Sequence, residues 1–386
     1  MKLLVFSPFY PPHIGGLESH ADEFNKHLAK RGVEITVFTP RLPADAPETE
    51  TIHDGARVFR FPAFEIIHNY PLPKFWLPEF WDLLSQAGAA KPDIVISRTR
   101  FFATSLLAAF YAKWRHIPLL HIEHGSDYAS FNGRIKTFLG KYYDHVFGWI
   151  VLIAADRIVA NSNASARFAG KLSRRDATVV YRGVETEKII GMKADQRLLS
   201  EKDSKTLICF VGRLIDGKGV ADLLSALEKL DRDDFLCFIV GEGPERARLE
   251  AIAKRPKLEG KVRFFGHRNH DEAIAIMKAC DIIVNPSYGE GLPTSVTEAA
   301  LVGKAIIATN VGGTPEIISG EDDGFLVPPG EQGTLMTKIA YLLDHPETRE
   351  RFGRNAHDEV IEKFSWDHAA DRYLEIFHSL LDNRKV

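Results

Sequence analysis

Short apolar runs bounded by turn residues recur through the first half of the chain, at residues 3–7, 33–38, 57–61, 93–97, 119–123, 157–160 and 178–181. Runs of this length with little polar alternation mark strands buried on both faces. Between several of them lie segments at helical spacing, the clearest being Leu17, Ala21, Phe24 and Leu28, closed by Gly32 before the next run. The second half repeats the scheme with runs at 207–211, 235–240, 262–265, 281–284, 305–309 and 325–327. Helical candidates fill its gaps, one with Val220, Leu223, Leu224, Leu227 and Leu230, another over residues 270–280. Strand and helix in alternation predict α/β domains built on parallel sheets.

Residues 185–205 are polar, carry many charges and hold no sustained strand pattern, which reads as an interdomain linker. The expected division is an N-terminal domain over 1–185 and a C-terminal domain over 186–365. The final segment sets Trp366, Ala369, Tyr373, Ile376, Phe377 and Leu380 at helical spacing. A helix over 366–386 therefore needs an apolar surface, and either packs on the second domain or crosses back to complete the first.

Composition narrows the function. A length of 386 residues is more than one core usually holds, in keeping with two domains. The formal net charge of -3 gives no general drive toward nucleic acid, which is excluded as a bulk partner. The opening apolar run is too short for a signal peptide or a spanning helix, and no later run is long enough to span a bilayer. Cys209, Cys237 and Cys280 stand singly in apolar runs without zinc or disulfide spacing, and read as buried reduced thiols of a cytoplasmic protein.

The candidate chemistry gathers at strand ends. Gly289-Glu290-Gly291-Leu292-Pro293-Thr294 is followed by Glu298, eight positions after Glu290. A glycine turn and a Pro at a helix start set backbone N–H groups against a diphosphate. Glutamate repels phosphate, so the two carboxylates must serve neutral hydroxyls, Glu290 those of a sugar and Glu298 a vicinal diol such as a ribose. Val211-Gly212-Arg213-Leu214 ends a strand and Lys218-Gly219 opens the next helix. A guanidinium fork and an ammonium there would together neutralise a diphosphate leaving group. Gly241-Glu242-Gly243-Pro244 and Asn310-Val311-Gly312-Gly313-Thr314-Pro315-Glu316 follow strands in the same way, the former being weak evidence by itself. In the first half, Gly15-Gly16 just before a helix admits an anion or sugar to its N-terminus. No G-x-G-x-x-G follows the first strand, and the second ends Phe38-Thr39-Pro40 without an acidic residue, so a nicotinamide cofactor is not expected. Alternation sends His121 and Glu123 to one face of their strand and His124 to the other, which argues against a metal triad. His124 then stands at the carboxyl end, where open α/β sheets bind ligands.

In order and spacing, Gly15-Gly16-x-Glu18, His124-Gly125, Gly212-Arg213 with Lys218-Gly219, Gly241-Glu242-Gly243-Pro244, Glu290 to Glu298 and Gly312-Gly313-x-Pro315-Glu316 resemble family 4 of the retaining glycosyltransferases. The resemblance covers nearly the whole chain, most densely over 212–329 and more thinly over 40–120. It departs at Tyr181-Arg182-Gly183-Val184, where the family commonly has Asn before Gly-Val; the expected effect is on a linker turn more than on chemistry.

The resemblance implies the GT-B fold, an α/β architecture of two Rossmann-like parallel-sheet domains facing a central cleft. It implies Arg213 and Lys218 on the donor diphosphate, Glu298 on the ribose and Glu290 near the donor sugar. Gly15 and Gly16 then form the loop that approaches the phosphates, Gly291-Leu292-Pro293-Thr294 lines the donor, and His124 lies beside the transferred sugar. On this footing His124, Arg213, Lys218 and Glu290 are the catalytic candidates. The nucleoside-diphosphate sugar is a substrate, and neither a cofactor nor a metal is required.

The expected reaction is transfer with retention to a hydroxyl of a glycan or lipid-linked acceptor, in polysaccharide or glycolipid assembly. A sugar-nucleotide hydrolase or epimerase, and a catalytically silent sugar-nucleotide sensor, are the rivals. Phe64, Tyr70, Phe75, Trp76, Phe80 and Trp81, interrupted by Pro71, Pro73 and Pro78, form the candidate acceptor loop, exposed and able to meet the inner face of a membrane peripherally. A second basic-aromatic stretch, with Ile135, Phe138, Leu139, Tyr142 and Val146 at helical spacing, reads instead as core packing.

Overall fold

The computed structural model describes residues 1–382 apart from 14, 53–54, 68–69, 129–133, 203 and 321. It divides into two compact units, Met1–Arg182 joined by the C-terminal segment from Trp366, and Gly183–Ser365.

The first unit carries strands β1 (Lys2–Phe6), β2 (Glu34–Pro40), β3 (Thr49–Ile52), β4 (Ala56–Phe61), β5 (Ala63–Ile67), β6 (Tyr70–Pro73), β7 (Ile94–Arg98), β8 (Leu119–Glu123), β9 (Arg157–Ala160) and β10 (Thr178–Val179). Eight form one sheet in the order β10-β9-β8-β7-β1-β2-β4-β3, parallel except for the β3–β4 pair. The central strand β1 is apolar at nearly every position because both faces are covered. Leu3 and Val5 meet Phe24 and Leu28 of the helix Gly16–Ala29, together with Trp366, Tyr373 and Phe377 of the helix Trp366–Asp382. Leu4 and Phe6 face the opposite layer, with Phe80, Leu83, Ala108 and Leu152. The C-terminal helix thus buries its apolar stripe on the first sheet, and Arg31 holds it at the rim through Asp367 at 2.9 Å and Asp371 at 2.8 Å.

Three strands give no apolar run. β3 is Thr-Glu-Thr-Ile at an edge, and β5 and β6 form a separate two-stranded ribbon whose Tyr-Pro-Leu-Pro strand tolerates prolines because it has a free side. The first aromatic cluster is therefore not one exposed loop. Phe80 is fully buried on the helix Pro78–Gly88, and Tyr70 is half-buried, its hydroxyl donating to the Phe101 carbonyl at 3.1 Å. Phe75, Trp76 and Trp81 are exposed.

The second stretch also departs from expectation, since Phe138 and Tyr142 are exposed at 68% and 62%. The side chains of Ile135 and Leu139 lie outside the described residues, as does Ile14. The physical reason is ionic. Asp144, the first residue of a π-helical turn after the helix Arg134–Tyr143, is buried against Arg100, so a charged residue anchors this helix and apolar spacing misassigns its inner face.

The second unit holds β11 (Thr206–Val211), β12 (Phe235–Val240), β13 (Val262–Gly266), β14 (Ile282–Asn285), β15 (Ala305–Thr309) and β16 (Phe325–Val327). All pair in parallel in the order β13-β12-β11-β14-β15-β16, the doubly wound 3-2-1-4-5-6 arrangement. Residues 185–205 are not a bare linker. They form the short helices Thr186–Gly191 and Gln196–Glu201, which bury Ile189 and Leu198 in this unit, and the Asp195 amide bonds the Ala275 carbonyl at 2.9 Å. The chain passes between units after Arg182 and after Ser365, and a Val184–Ser365 bridge ties the two passages together within the second unit. Cys209, Cys237 and Cys280 are buried free thiols.

Phe377→Ala should destabilise the first unit by about 3–5 kcal/mol, the usual cost of deleting a fully buried aromatic ring. Hydrogen exchange checks this: β1 and β7 amides should exchange faster while β11 and β12 stay protected, and the reverse pattern would assign the C-terminal helix to the wrong core.

Candidate functional site

In the second unit the strand order turns at β11, whose neighbours are β12 and β14. Their connections leave toward opposite faces there and open a crevice at the carboxyl edge. The motifs of the second half at 212–219, 241–244, 289–294 and 310–316 follow its strands on that edge, and backbone contacts join them. The Tyr288 amide donates to the Gly217 carbonyl at 2.9 Å, and the Gly313 amide to the Gly291 carbonyl at 2.9 Å. The Leu214 amide bonds the Glu242 carbonyl at 2.8 Å. Glycine is obligatory at two of these approaches. Gly219 has φ of 64° and a Cβ would lie 2.1 Å from the Pro286 carbonyl oxygen; a Cβ at Gly241 would lie 1.9 Å from that of Gly212.

The charged candidates sit on this scaffold. Lys218 Nζ meets Glu290 Oε1 at 2.5 Å, both side chains being largely covered. Glu298, on the helix Thr294–Leu301 that starts from Pro293, is buried and accepts a hydrogen bond from His270 Nε2 at 2.8 Å. That hydrogen bond raises the His270 imidazole above its ordinary range, against the opposing effect of burial. Arg213 is exposed and its guanidinium makes no ion pair or hydrogen bond with the described residues. The structure therefore brings Lys218 to Glu290, gives Glu298 a partner the sequence reading missed, and leaves Arg213 available. The signal for His270 was its place after β13 behind the capping box of Asn269 and Glu272. The chain's Asp-x-Asp sequence, Asp231-Arg232-Asp233, lies at the other end of β12, where Asp231 pairs with Lys257 and Asp233 with Lys261, and does not join this edge.

In the first unit Gly15 and Gly16 open the helix Gly16–Ala29, and the Glu18 carboxylate folds back beside Gly15 onto His13 Nδ1. The family departure at Arg182 reaches this loop, since Arg182 Nη1 donates to the Gly16 carbonyl at 3.2 Å. It is thus more than a change of linker turn. His124 follows β8, its ring edge-on to His20 with centroids 4.6 Å apart. Burial, and then the Arg98 charge, lower the His124 imidazole to about 3, so it stays neutral at physiological pH.

What sets His124 in place is a buried ionic cluster. Arg100 Nη1 meets Glu123 Oε1 at 2.9 Å and its Nη2 meets Asp144 Oδ2 at 3.1 Å, all three side chains being buried. Glu123 also accepts the Gly125 amide at 2.7 Å and faces His121 at 3.3 Å, while His121 Nδ1 bonds Ser97 Oγ at 2.8 Å. Burial pushes the Glu123 carboxyl up, but Arg100, His121 and the Gly125 N–H together outweigh it and hold it well below the usual carboxylate range.

Two family models match, one described as glycosyl transferases group 1 over residues 192–359 and one as glycosyltransferase family 4 over residues 14–188. An uncharacterised glycosyltransferase of Methanocaldococcus jannaschii is 35% identical over 99% of both chains. Among solved structures, a sucrose-phosphate synthase from Thermosynechococcus elongatus superposes with a TM-score of 0.81 at 20% identity, over 99% of each chain. An Anabaena protein in complex with UDP-glucose does so with 0.77 at 20% identity, over 98% of this chain and 100% of that one.

Glu123→Gln should cost about 3–5 kcal/mol, because it strands part of a buried charge set. Its pH signature follows from the depressed carboxyl. The stability that ionised Glu123 contributes is complete above the unfolded value of about 4.3 and is lost as pH falls below it. Urea midpoints taken between about pH 7 and pH 3 should drop steeply in the wild type and less steeply in the variant. Equal slopes would mean that the cluster does not carry this linkage.

Proposed function

This chain belongs to the family 4, group 1 glycosyltransferases, and from that premise we propose that it moves a sugar from a nucleoside-diphosphate donor to a hydroxyl of a glycan or lipid-linked acceptor, with retention at the anomeric carbon and without a divalent metal. The observation that carries the reading is the second unit's carboxyl edge, where Lys218 pairs with Glu290, Arg213 follows β11 without an ionic partner among the described residues, and the helix Thr294–Leu301 carries Glu298, a second carboxylate suited to hydroxyls. The Anabaena neighbour in complex with UDP-glucose supports a nucleotide sugar as the donor.

In this mechanism Lys218 and Glu290 neutralise each other before the donor arrives. A diphosphate competes for the ammonium and frees the Glu290 carboxylate to accept from hydroxyls of the donor sugar. Glu298, oriented by His270, takes the ribose diol. As the bond from the anomeric carbon to the diphosphate breaks, negative charge grows on the leaving oxygen, and Arg213 and Lys218 bind the transition state more tightly than the ground state. No nucleophile is needed on the protein: the acceptor hydroxyl enters on the face the diphosphate leaves, its oxygen bonds the anomeric carbon, and its proton passes to the departing phosphate oxygen. Glu290 positions the sugar, and His124, neutral, is a hydrogen-bonding group at the first unit's own carboxyl edge.

Incubating the protein with UDP-, GDP- and ADP-sugars, with and without acceptors and a chelator, tests this directly. Nucleotide release should require an acceptor and survive chelation. Arg213→Ala should reduce turnover roughly a hundred- to a thousandfold, the usual cost of one preorganised donor. Release without acceptor would point to a hydrolase or epimerase, and tight donor binding with no release would point to a sensor.

A lipid-linked acceptor is favoured by the exposed Phe75, Trp76 and Trp81 of the first unit. Among the described residues no helix is long and apolar enough to cross a membrane, so contact of this kind would be peripheral. The double variant Trp76→Ser, Trp81→Ser should sediment several-fold less with anionic liposomes. Unchanged sedimentation would remove the membrane from the proposal and leave a free glycan.

A further inference from the structure

Two arginines close together at the end of β7 are equally buried and opposite in circumstance. Arg100 is paired with Glu123 and Asp144. Arg98, 1% exposed, meets no carboxylate among the described residues. Its Nη1 donates to His20 Nδ1 at 2.8 Å, its guanidinium carbon lies 4.4 Å from the Phe24 ring centroid, and its Nε and Nη2 have no hydrogen-bond partner among the described residues. A buried cation held only by a neutral ring and an aromatic face is among the costlier arrangements a protein interior contains.

The groups around it do not supply the missing charge. Because arginine has no acceptor, His20 must accept at Nδ1, which fixes its proton on Nε2 in the neutral form. His124 Nε2 is buried without a hydrogen-bond partner among the described residues. Arg182 adds a second positive charge that acts on both histidines and on Arg98. The Tyr10 and Tyr373 phenols near Arg98 are kept neutral by burial. These groups gather at the carboxyl edge of the first sheet, beside the Gly15-Gly16 turn that opens a 14-residue helix.

We propose that Arg98, with Arg182 and His124 beside it, forms an oxyanion subsite of the first unit that takes a phosphate or carboxylate group borne by the acceptor. A tetrahedral or planar oxyanion suits the unused Nε and Nη2, a fork built for two-point recognition, and supplies the charge this interior lacks. The assignment to the acceptor rests on the glycosyltransferase reading; the anion site itself does not, and its test needs no turnover.

The probes are inorganic phosphate, UDP and glucuronate, read by unfolding midpoint in the wild type, Arg98→Met and Arg213→Ala. Phosphate and glucuronate should each stabilise the wild type and Arg213→Ala, and the effect should vanish in Arg98→Met. UDP should stabilise Arg98→Met as well as the wild type and lose its effect in Arg213→Ala. An undiminished phosphate response in Arg98→Met would overturn the site. A UDP response lost in Arg98→Met would give the anion to the donor and overturn the acceptor assignment. Without ligand, Arg98→Met should unfold no earlier than the wild type, because it removes an uncompensated charge. Should that variant not fold, imidazole NMR of the wild type decides: phosphate should move the His20 and His124 signals, and unmoved signals would overturn the proposal.

Discussion

The Arg100 guanidinium, held between the Glu123 and Asp144 carboxylates, is the constraint on which the working edge of the first unit depends. None of the three charges is tolerable alone in that interior, so they fold as a set. The set reaches outward through backbone. Glu123 accepts the Gly125 amide, which fixes the turn after β8 and therefore the direction of His124. Arg100 Nη2 also holds the Asp127 carbonyl at 3.0 Å, and its guanidinium covers the Phe168 ring. Asp144 fixes where the helix Arg134–Tyr143 passes into its π turn, so that Phe138 and Tyr142 point to solvent. One ionic cluster thus sets both a candidate catalytic histidine and an exposed aromatic face.

The second unit solves the same problem chiefly through its backbone, with Glu298 as the buried carboxylate of its edge. Its loops are joined by carbonyl and amide contacts through glycines that cannot carry a Cβ, at Gly219 against Pro286 and Gly241 against Gly212. The scaffold is rigid in its backbone, and the charged side chains are laid on top, at its rim. Lys218 and Glu290 keep some exposure, and such a pair exchanges partners at little cost because water still screens it. Fixed backbone with exchangeable charge is what a site must have if an anion is to arrive and leave.

Most of the parallel sheets were legible because a strand covered on both faces must be apolar throughout, and the runs at 119–123, 157–160, 235–240 and 305–309 coincide with β8, β9, β12 and β15. The edge strand β3 and the β5–β6 ribbon were not, because nothing there requires apolar residues. The residues of 185–205 looked like linker because their two short helices bury only Ile189 and Leu198. For the candidate site, glycines and charges at strand ends were readable because their spacing is local. His270 and the two buried arginines were not. Ser97-Arg98-Thr99-Arg100 reads as the solvated end of a strand, and only distant partners such as His20, Glu123 and Asp144 reveal that both guanidinium groups are inside.

The two units treat positive charge in opposite ways. In the second, Lys218 meets Glu290, so an incoming anion must displace a carboxylate, and the gain is the difference between two ion pairs. In the first, Arg98 has no carboxylate to displace among the described residues, and Arg182 adds to the local positive potential instead of relieving it. The histidines between them answer by staying neutral, which lowers the repulsion and leaves them as donors or acceptors of hydrogen bonds. An anion reaching that edge gains the full interaction, less only its own desolvation. Stability lost by leaving a charge unpaired in the interior is, on this argument, held in reserve for a ligand, which is why the departure from the family pattern at Arg182 bears on recognition and not on the linker alone.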